Sequence, residues 1–416
     1  MSHRFRLPSL IALCGLLTCS AAPMAGAAPG DASFNDLETE AKAATKAPKK
    51  TGNKAFDAYS EAYEDGWTKL SSAMEAMYKE QDRQITEAQL RLQKQVNEKW
   101  NEFHPSTKKE WVDYSPKAGA VSKVDFEKGE AEVEVLVPVE EAAPKKKTAD
   151  FSALDAKEQK KVRALAEEKI RAQTRKMVAE KGEGQAEVLK DQIATPEGKP
   201  VTEKNADAFV KKVVAPTMKV EEKPVVAQDG KPRLKVTVKI PLVPEHLKVR
   251  AKRYAGAVHA AAEKTGLDPA LIFALMQTES EFNPKARSVA GAFGLMQIVP
   301  RTAGVEAYKY LHKEEKLVTP EYLFDPDNNI TLGSTYLLML HKRYFAKIQD
   351  PANRRSLSVA AYNCGPGNVR KMVLSKGQVD GMSPDEVVRL ITTFAPKETQ
   401  HYVPRVLGRM DAYRDF

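Results

Sequence analysis

The sequence predicts an α+β protein, with an accessory half of long helices and β-hairpins followed by an all-α C-terminal half. Three observations carry this. From Phe56 to Phe103, apolar residues recur at spacings of three and four. Around Val124–Val137 and again at Leu234–Ile240 the period falls to two, the mark of half-buried strands. From about Val249 to the end only helical spacing and helix start signals remain. A chain of 416 residues has room for two or three such domains.

The first 27 residues read as a secretory signal. Arg4 and Arg6 form its positive region, Leu10 to Leu17 its apolar run, and Ala25-Gly-Ala27 its cleavage site. The run is too short to span a bilayer. Leu16-Leu-Thr-Cys19 leaves a second outcome open, acylation of Cys19, although Thr18 stands where a small Gly or Ala suits such sites better. Residues 28–52, rich in Ala, Lys, Gly and Pro, read as a flexible linker. With Cys14 and Cys19 in the signal, Cys364 is alone in the mature chain and no intramolecular disulfide can form. The formal charge of +9 suits an exported protein that meets an anionic envelope polymer. Export, and the lack of a basic stripe interleaved with aromatics, argue against nucleic acid. The seven His are scattered, and neither His-Glu-x-x-His nor Cys-x-x-Cys occurs, so no metal or other cofactor is expected.

The accessory domain spans 53–243. Phe56, Tyr59, Tyr63, Trp67, Leu70, Met74, Met77, Ile85, Leu92, Val96 and Trp100 lie on one long amphipathic helix or a helical hairpin, with the aromatic stripe as a packing face. Lys128-Gly129 turns a first β-hairpin, and 140–150 is a linker. A second helix runs from Ala153 to Lys181, closed by Gly182 and Gly184. A second hairpin turns at Asp229-Gly230. No motif here carries chemistry, so this domain reads as a scaffold for the C-terminal half.

In the C-terminal half, Arg250 to Lys264 predicts a first helix. Asp268 is then an N-cap with Pro269 at the first helical position. Glu279 falls on the apolar stripe, and Glu281 is rotated by roughly 200° toward water. Pro284 ends the helix within a turn of Glu279. A carboxyl on a buried stripe resists ionisation, as a general acid must near neutral pH. Periodicity alone favours the other reading, a Glu capped by a local partner. The loop Ser288-Val-Ala-Gly291-Ala-Phe-Gly294-Leu-Met296-Gln297 adds glycines that let backbone approach a ligand, and a hydroxyl and an amide that can read sugar substituents. Asp325-Pro326 starts a further helix, in which Gly333 allows close contact.

The run ES-x-FNP-x-A-x-S-x-x-GA-x-GLMQ-x-x-P resembles the signature of the lytic transglycosylases that carry a soluble-lytic-transglycosylase, goose-lysozyme-like, catalytic domain. Tyr362-Asn-Cys-Gly-Pro-Gly367 and Glu398-Thr-Gln-His-Tyr-Val403 match that family's second and third blocks, with Cys364 where a small residue is usual. Trp111-Val-Asp-Tyr and Val124-Asp-Phe-Glu-Lys-Gly resemble the N-terminal domain of the family's membrane-bound type C enzymes. The resemblance implies an all-α lysozyme-like domain over 249–416 that acts on peptidoglycan glycan strands in the periplasm. Attachment to the outer membrane depends on Cys19. It also implies Glu279 as the catalytic acid, then base. Ser288 would meet the N-acetyl group, Met296 and Gln297 would line the glycan groove, Tyr362 and Asn363 would assist beside Glu279, and Tyr402 would contact the acid or the sugar. One acid without a second carboxylate suits a reaction with no external nucleophile. A hydrolase on the same fold would need a second carboxylate to hold water. An idle binding protein would leave the biology to the accessory domain.

Overall fold

The computed structural model describes residues 54–183 and 186–416. The expected signal and linker, Cys19 among them, and Gly184 lie outside the described residues.

Of the two forms open for the first stretch, a single helix is the one found: α1, Lys54–Asn97, 44 residues long. Its stripe corrects the expectation of a continuous packing face. Val96 and Trp100, at and just past its end, are buried, whereas Met77 and Leu92 are exposed. This end meets the sheet, where the Trp100 indole donates to the Ala118 carbonyl at 2.7 Å and packs edge-on against Tyr114.

The sheet comprises β1 (Glu110–Tyr114), β2 (Ala120–Asp125), β3 (Glu130–Pro138), β4 (Lys219–Val220), β5 (Val225–Val226) and β6 (Pro232–Pro241). All pairs are antiparallel, in the order β1-β2-β3-β6-β4 with β5 also on β6. The two expected hairpins are therefore one sheet. The Asp229-Gly230 turn joins only the two-residue β5 to β6, whose long partner is β3, with Val133 opposite Val238 and Val135 opposite Val236. The period-two valines of both strands face helix α2 (Ala156–Ala179), which buries Val162, Ala166, Ile170 and Met177 against them. That helix opens with a reciprocal Asp155/Glu158 capping box. On the reverse face Lys123 and Lys235 converge on the buried Glu134, at 2.8 and 3.4 Å.

The C-terminal half is helical, as expected. Its main helices are α3 (His246–Arg253), α4 (Ala255–Thr265), α5 (Pro269–Ser280), α6 (Val305–His312), α7 (Pro326–Met339), α8 (Pro351–Cys364), α9 (Pro384–Phe394) and α10 (Lys397–Arg409). The helix expected over 250–264 is two, separated at Tyr254. Glu398–Val403 lies in the first turns of the last helix. Every residue of α5 from Ala270 to Ser280 is buried, so it is a central helix rather than a striped one. The chain end returns to it. Tyr413 stacks on Phe273 with ring centroids 5.3 Å apart, and its hydroxyl donates to Gln277 Oε1 at 2.8 Å.

Candidate active site

Helix α5 starts as its sequence dictates, with Asp268 accepting from the Ala270 amide and Pro269 in the first turn. Its end is unusual. Glu281 and Phe282 are both left-handed, at φ 50° and 59°. Each costs a non-glycine residue roughly 1–2 kcal/mol. The turn explains why Glu281 does not point to water. Helical phase stops at Ser280, and Glu281 swings inward to 3% exposure, where Arg409 holds its carboxylate at 2.9 Å.

Glu279, one residue inside that turn, is 5% exposed. The Tyr402 hydroxyl donates to its Oε1 at 2.6 Å, and the Lys108 ammonium stands 3.6 Å from its Oε2. Burial pushes the Glu279 pKa above the usual carboxylate range. The charge of Lys108 and the Tyr402 hydrogen bond pull the other way, and Glu398 pushes it up further. One helix secures both acids: Tyr402 reaches Glu279 and, two turns later on α10, Arg409 reaches Glu281 just past the end of α5.

The loop after α5 is pinned by its backbone. The Ser280 hydroxyl donates to Leu295 O at 2.8 Å, Asn329 Oδ1 accepts from Met296 N at 2.7 Å, and the Tyr362 hydroxyl donates to Met296 O at 2.9 Å. Gly294, at φ 76°, sits so close to α7 that a Cβ would lie 2.3 Å from the Asn329 side chain. Only glycine meets both demands.

The candidate residues divide around this loop. Ser288 is half-exposed, accepts from the Ala292 amide at 2.9 Å, and lines a cavity of about 1260 Å³ together with Lys108. Gln297, Tyr362 and Asn363 line a second cavity of about 220 Å³. Gln297 is left-handed, donates to Gly294 O at 2.9 Å, and leaves its buried Oε1 without a protein partner. Such an orphan acceptor is costly unless a water or a ligand satisfies it. Asn363 is held by α10, accepting from Thr399 at 2.6 Å and donating to Glu398 at 3.3 Å. Met296 corrects the expectation of a groove-lining side chain. It is fully buried against Gly333, where a Cβ would meet its sulfur at 2.5 Å, and the site receives its carbonyl's position instead. No group of metal-ligating side chains occurs among the described residues.

The sequence reading missed Lys108, Ser280, Asn329 and Arg409. Asn329, a polar residue in the buried face of an apolar helix just after its cap, carried a local signal. Lys108, far away in the chain, carried none.

Removing the Tyr402 hydroxyl tests its hold on the acid. Tyr402→Phe deletes a hydrogen bond to a charged form, worth about 1.5–3 kcal/mol. Activity should fall roughly 10- to 100-fold, and the alkaline limb of kcat/KM should move to higher pH because the carboxylate loses support. A limb that stays put would show that the hydroxyl does not govern Glu279.

The fold and site together define an all-helical domain with a buried carboxyl beside a glycine loop pinned by Ser280, Asn329 and Tyr362. Residues 256–382 match the family described as Transglycosylase SLT domain. It is 42% identical over 184 residues to membrane-bound lytic murein transglycosylase C of Serratia proteamaculans, covering 43% of this chain and 51% of that protein. It is 41% identical over 188 residues to the protein of the same name from Klebsiella pneumoniae, covering 44% and 52%. The chain thus spans about half the length of the curated relatives it matches. A solved structure of an inactive mutant of lytic transglycosylase Slt from Pseudomonas aeruginosa is 32% identical, covers 38% of this chain and 23% of its own, and has a TM-score of 0.32.

Proposed function

We propose that the protein is a lytic transglycosylase that cleaves the β-1,4 bond between N-acetylmuramic acid and N-acetylglucosamine in peptidoglycan, leaving 1,6-anhydro ends. The observation that carries this reading is the buried carboxyl of Glu279, its pKa raised by burial and its Oε1 accepting from the Tyr402 hydroxyl. Glu279 gives its proton to the glycosidic oxygen as the bond to the muramic C1 breaks. The substrate's acetamido group stabilises the cationic centre. The Glu279 carboxylate then takes the proton of the muramic C6 hydroxyl while that oxygen closes on C1, so the acid is restored and no water is consumed. Ser288 and the unpaired Gln297 Oε1 meet the sugars, with Tyr362, Asn363 and Tyr402 shaping the wall. The buried Met296 serves through its backbone. We place the enzyme in the periplasm after export, on the outer membrane if Cys19 is acylated. The accessory domain 53–243 is read as its scaffold and 249–416 as its catalytic part.

Two other carboxyls look toward the cleft. Glu398 is exposed beside Asn363, and Glu306 lines the smaller cavity. A hydrolase would need one of them to hold water. Digestion of purified peptidoglycan followed by mass measurement decides. Muropeptides lighter by one water at the muramic end are expected, and reducing ends would replace this reading with hydrolysis.

A further inference from the structure

The cation that reaches Glu279 comes from the other half of the chain. Lys108 precedes β1 of the accessory sheet, and its segment is clamped to the turn after α5. The Asn283 side chain donates to Lys108 O at 3.3 Å, and the Arg287 amide donates to Thr107 O at 3.3 Å. The Lys109 ammonium reaches Glu127 on its own side and Glu281, at 3.8 Å, on the other. Thr107 stiffens the turn, its hydroxyl accepting from the Lys109 and Glu110 amides. The strand entry thus delivers Lys108 to 3.6 Å from Glu279 Oε2, with its side chain 38% exposed.

We propose that Lys108 is a positioning residue supplied by the accessory domain, whose ammonium stabilises the carboxylate formed when Glu279 gives up its proton. This deepens the transglycosylase reading and rests on Glu279 being the acid. The groups facing that carboxyl are Lys108 from the accessory domain, Tyr362 on α8, and Tyr402 and Glu398 on α10. Glu398 opposes the anion, and the tyrosine hydroxyls offer dipoles. Lys108 brings the full positive charge. An anion taken out of water needs such a partner, and a charge within 4–6 Å supplies it. No proton passes through Lys108. It lets Glu279 persist as an anion between donating to the glycosidic oxygen and accepting from the C6 hydroxyl. Without it, the buried acid would reclaim its proton early.

The test compares Lys108→Met and Lys108→Arg with the wild type, all as the full chain. Lys108 is partly exposed, so neither variant should unfold the protein. The first readout is the pH profile of kcat/KM for release of soluble muropeptides. Lys108→Met should move the alkaline limb up by about one pH unit and lower kcat roughly tenfold, while Lys108→Arg keeps the limb in place. The second is a ¹³C titration of the Glu279 carboxyl, assigned with Glu279→Gln, which should show the same upward shift without substrate. Because it needs no turnover, it tests Lys108 even if the wild type releases no products, an outcome that would count against the proposed function instead. A lower rate with both readouts unmoved would overturn the proposal in favour of a structural role. A rise in KM alone, on peptide-bearing strands, would overturn it in favour of a lysine that reads the substrate's own carboxylates.

Discussion

Glu279→Gln lowers the rate of peptidoglycan cleavage by roughly 10²- to 10⁴-fold, the contribution of one well-placed general acid. The amide keeps the shape and can still accept from Tyr402, but it has no proton to give. Binding should survive, because Ser288 and Gln297 lie on the loop pinned by Ser280, Asn329 and Tyr362 rather than by Glu279. The same change should stabilise the fold at neutral pH. Burial raises the native carboxyl's pKa above its unfolded value, so the native state binds this proton more tightly. The stability it contributes is full below the unfolded carboxylate range and is lost as pH rises to the native pKa. A neutral amide does not incur that loss. The variant's Tm should therefore match the wild type near pH 4 and exceed it at pH 7, a separation that calorimetry at the two pH values reads directly. A variant less stable at pH 7, or as active as the wild type, would mean that Glu279 is a structural carboxylate.

How much of the fold and site was legible in the sequence depends on the range of the interactions. The start of α5 is a local matter, decided by a cap and a proline, and can be read from the chain. The period-two stretches announce strands for the same reason. Their pairing is not announced, since β3 takes β6 nearly a hundred residues on rather than leaving each hairpin alone. Glu281 defies its spacing because helical phase stops one residue short of it, at a left-handed turn that nothing in Glu-Phe-Asn announces. Met296 reads as a surface residue because the loop's glycines suggest an open loop. Gly294 and Gly333 instead let the loop press into α7 and take the methionine inside. Lys108 lies between the first helix and the first expected hairpin, in a stretch where the sequence predicts no element, and its partner lies 171 residues away. Only the docking of the two halves gives it a role.

That docking turns on Arg250, and Arg250→Met should destabilise the protein by about 3–5 kcal/mol. The side chain is 1% exposed at the meeting of both halves. Its Nη2 donates to Phe126 O in the accessory sheet at 2.9 Å, and its Nη1 to Gln192 Oε1 at 2.9 Å. Its Nε donates to Glu281 O, in the turn that ends the Glu279 helix, at 2.8 Å. The guanidinium also lies over the Phe126 ring, 5.0 Å from its centroid. Burial lowers its pKa to about 10, which leaves it charged at neutral pH. Methionine fills much of the volume but abandons three buried acceptors, at about 1–3 kcal/mol each and less than additively. Arg250→Lys keeps the charge but loses the planar fork, and should fall between the two. Activity should drop as well, because Glu281 O is the anchor of the strained turn adjoining Glu279. Chemical denaturation with the cleavage assay at a permissive temperature checks both. Loss of less than about 1 kcal/mol, with full activity, would show that the halves dock without this residue. A large loss of stability with Lys108→Met unaffected in its pH profile would show that docking serves the fold and not the acid.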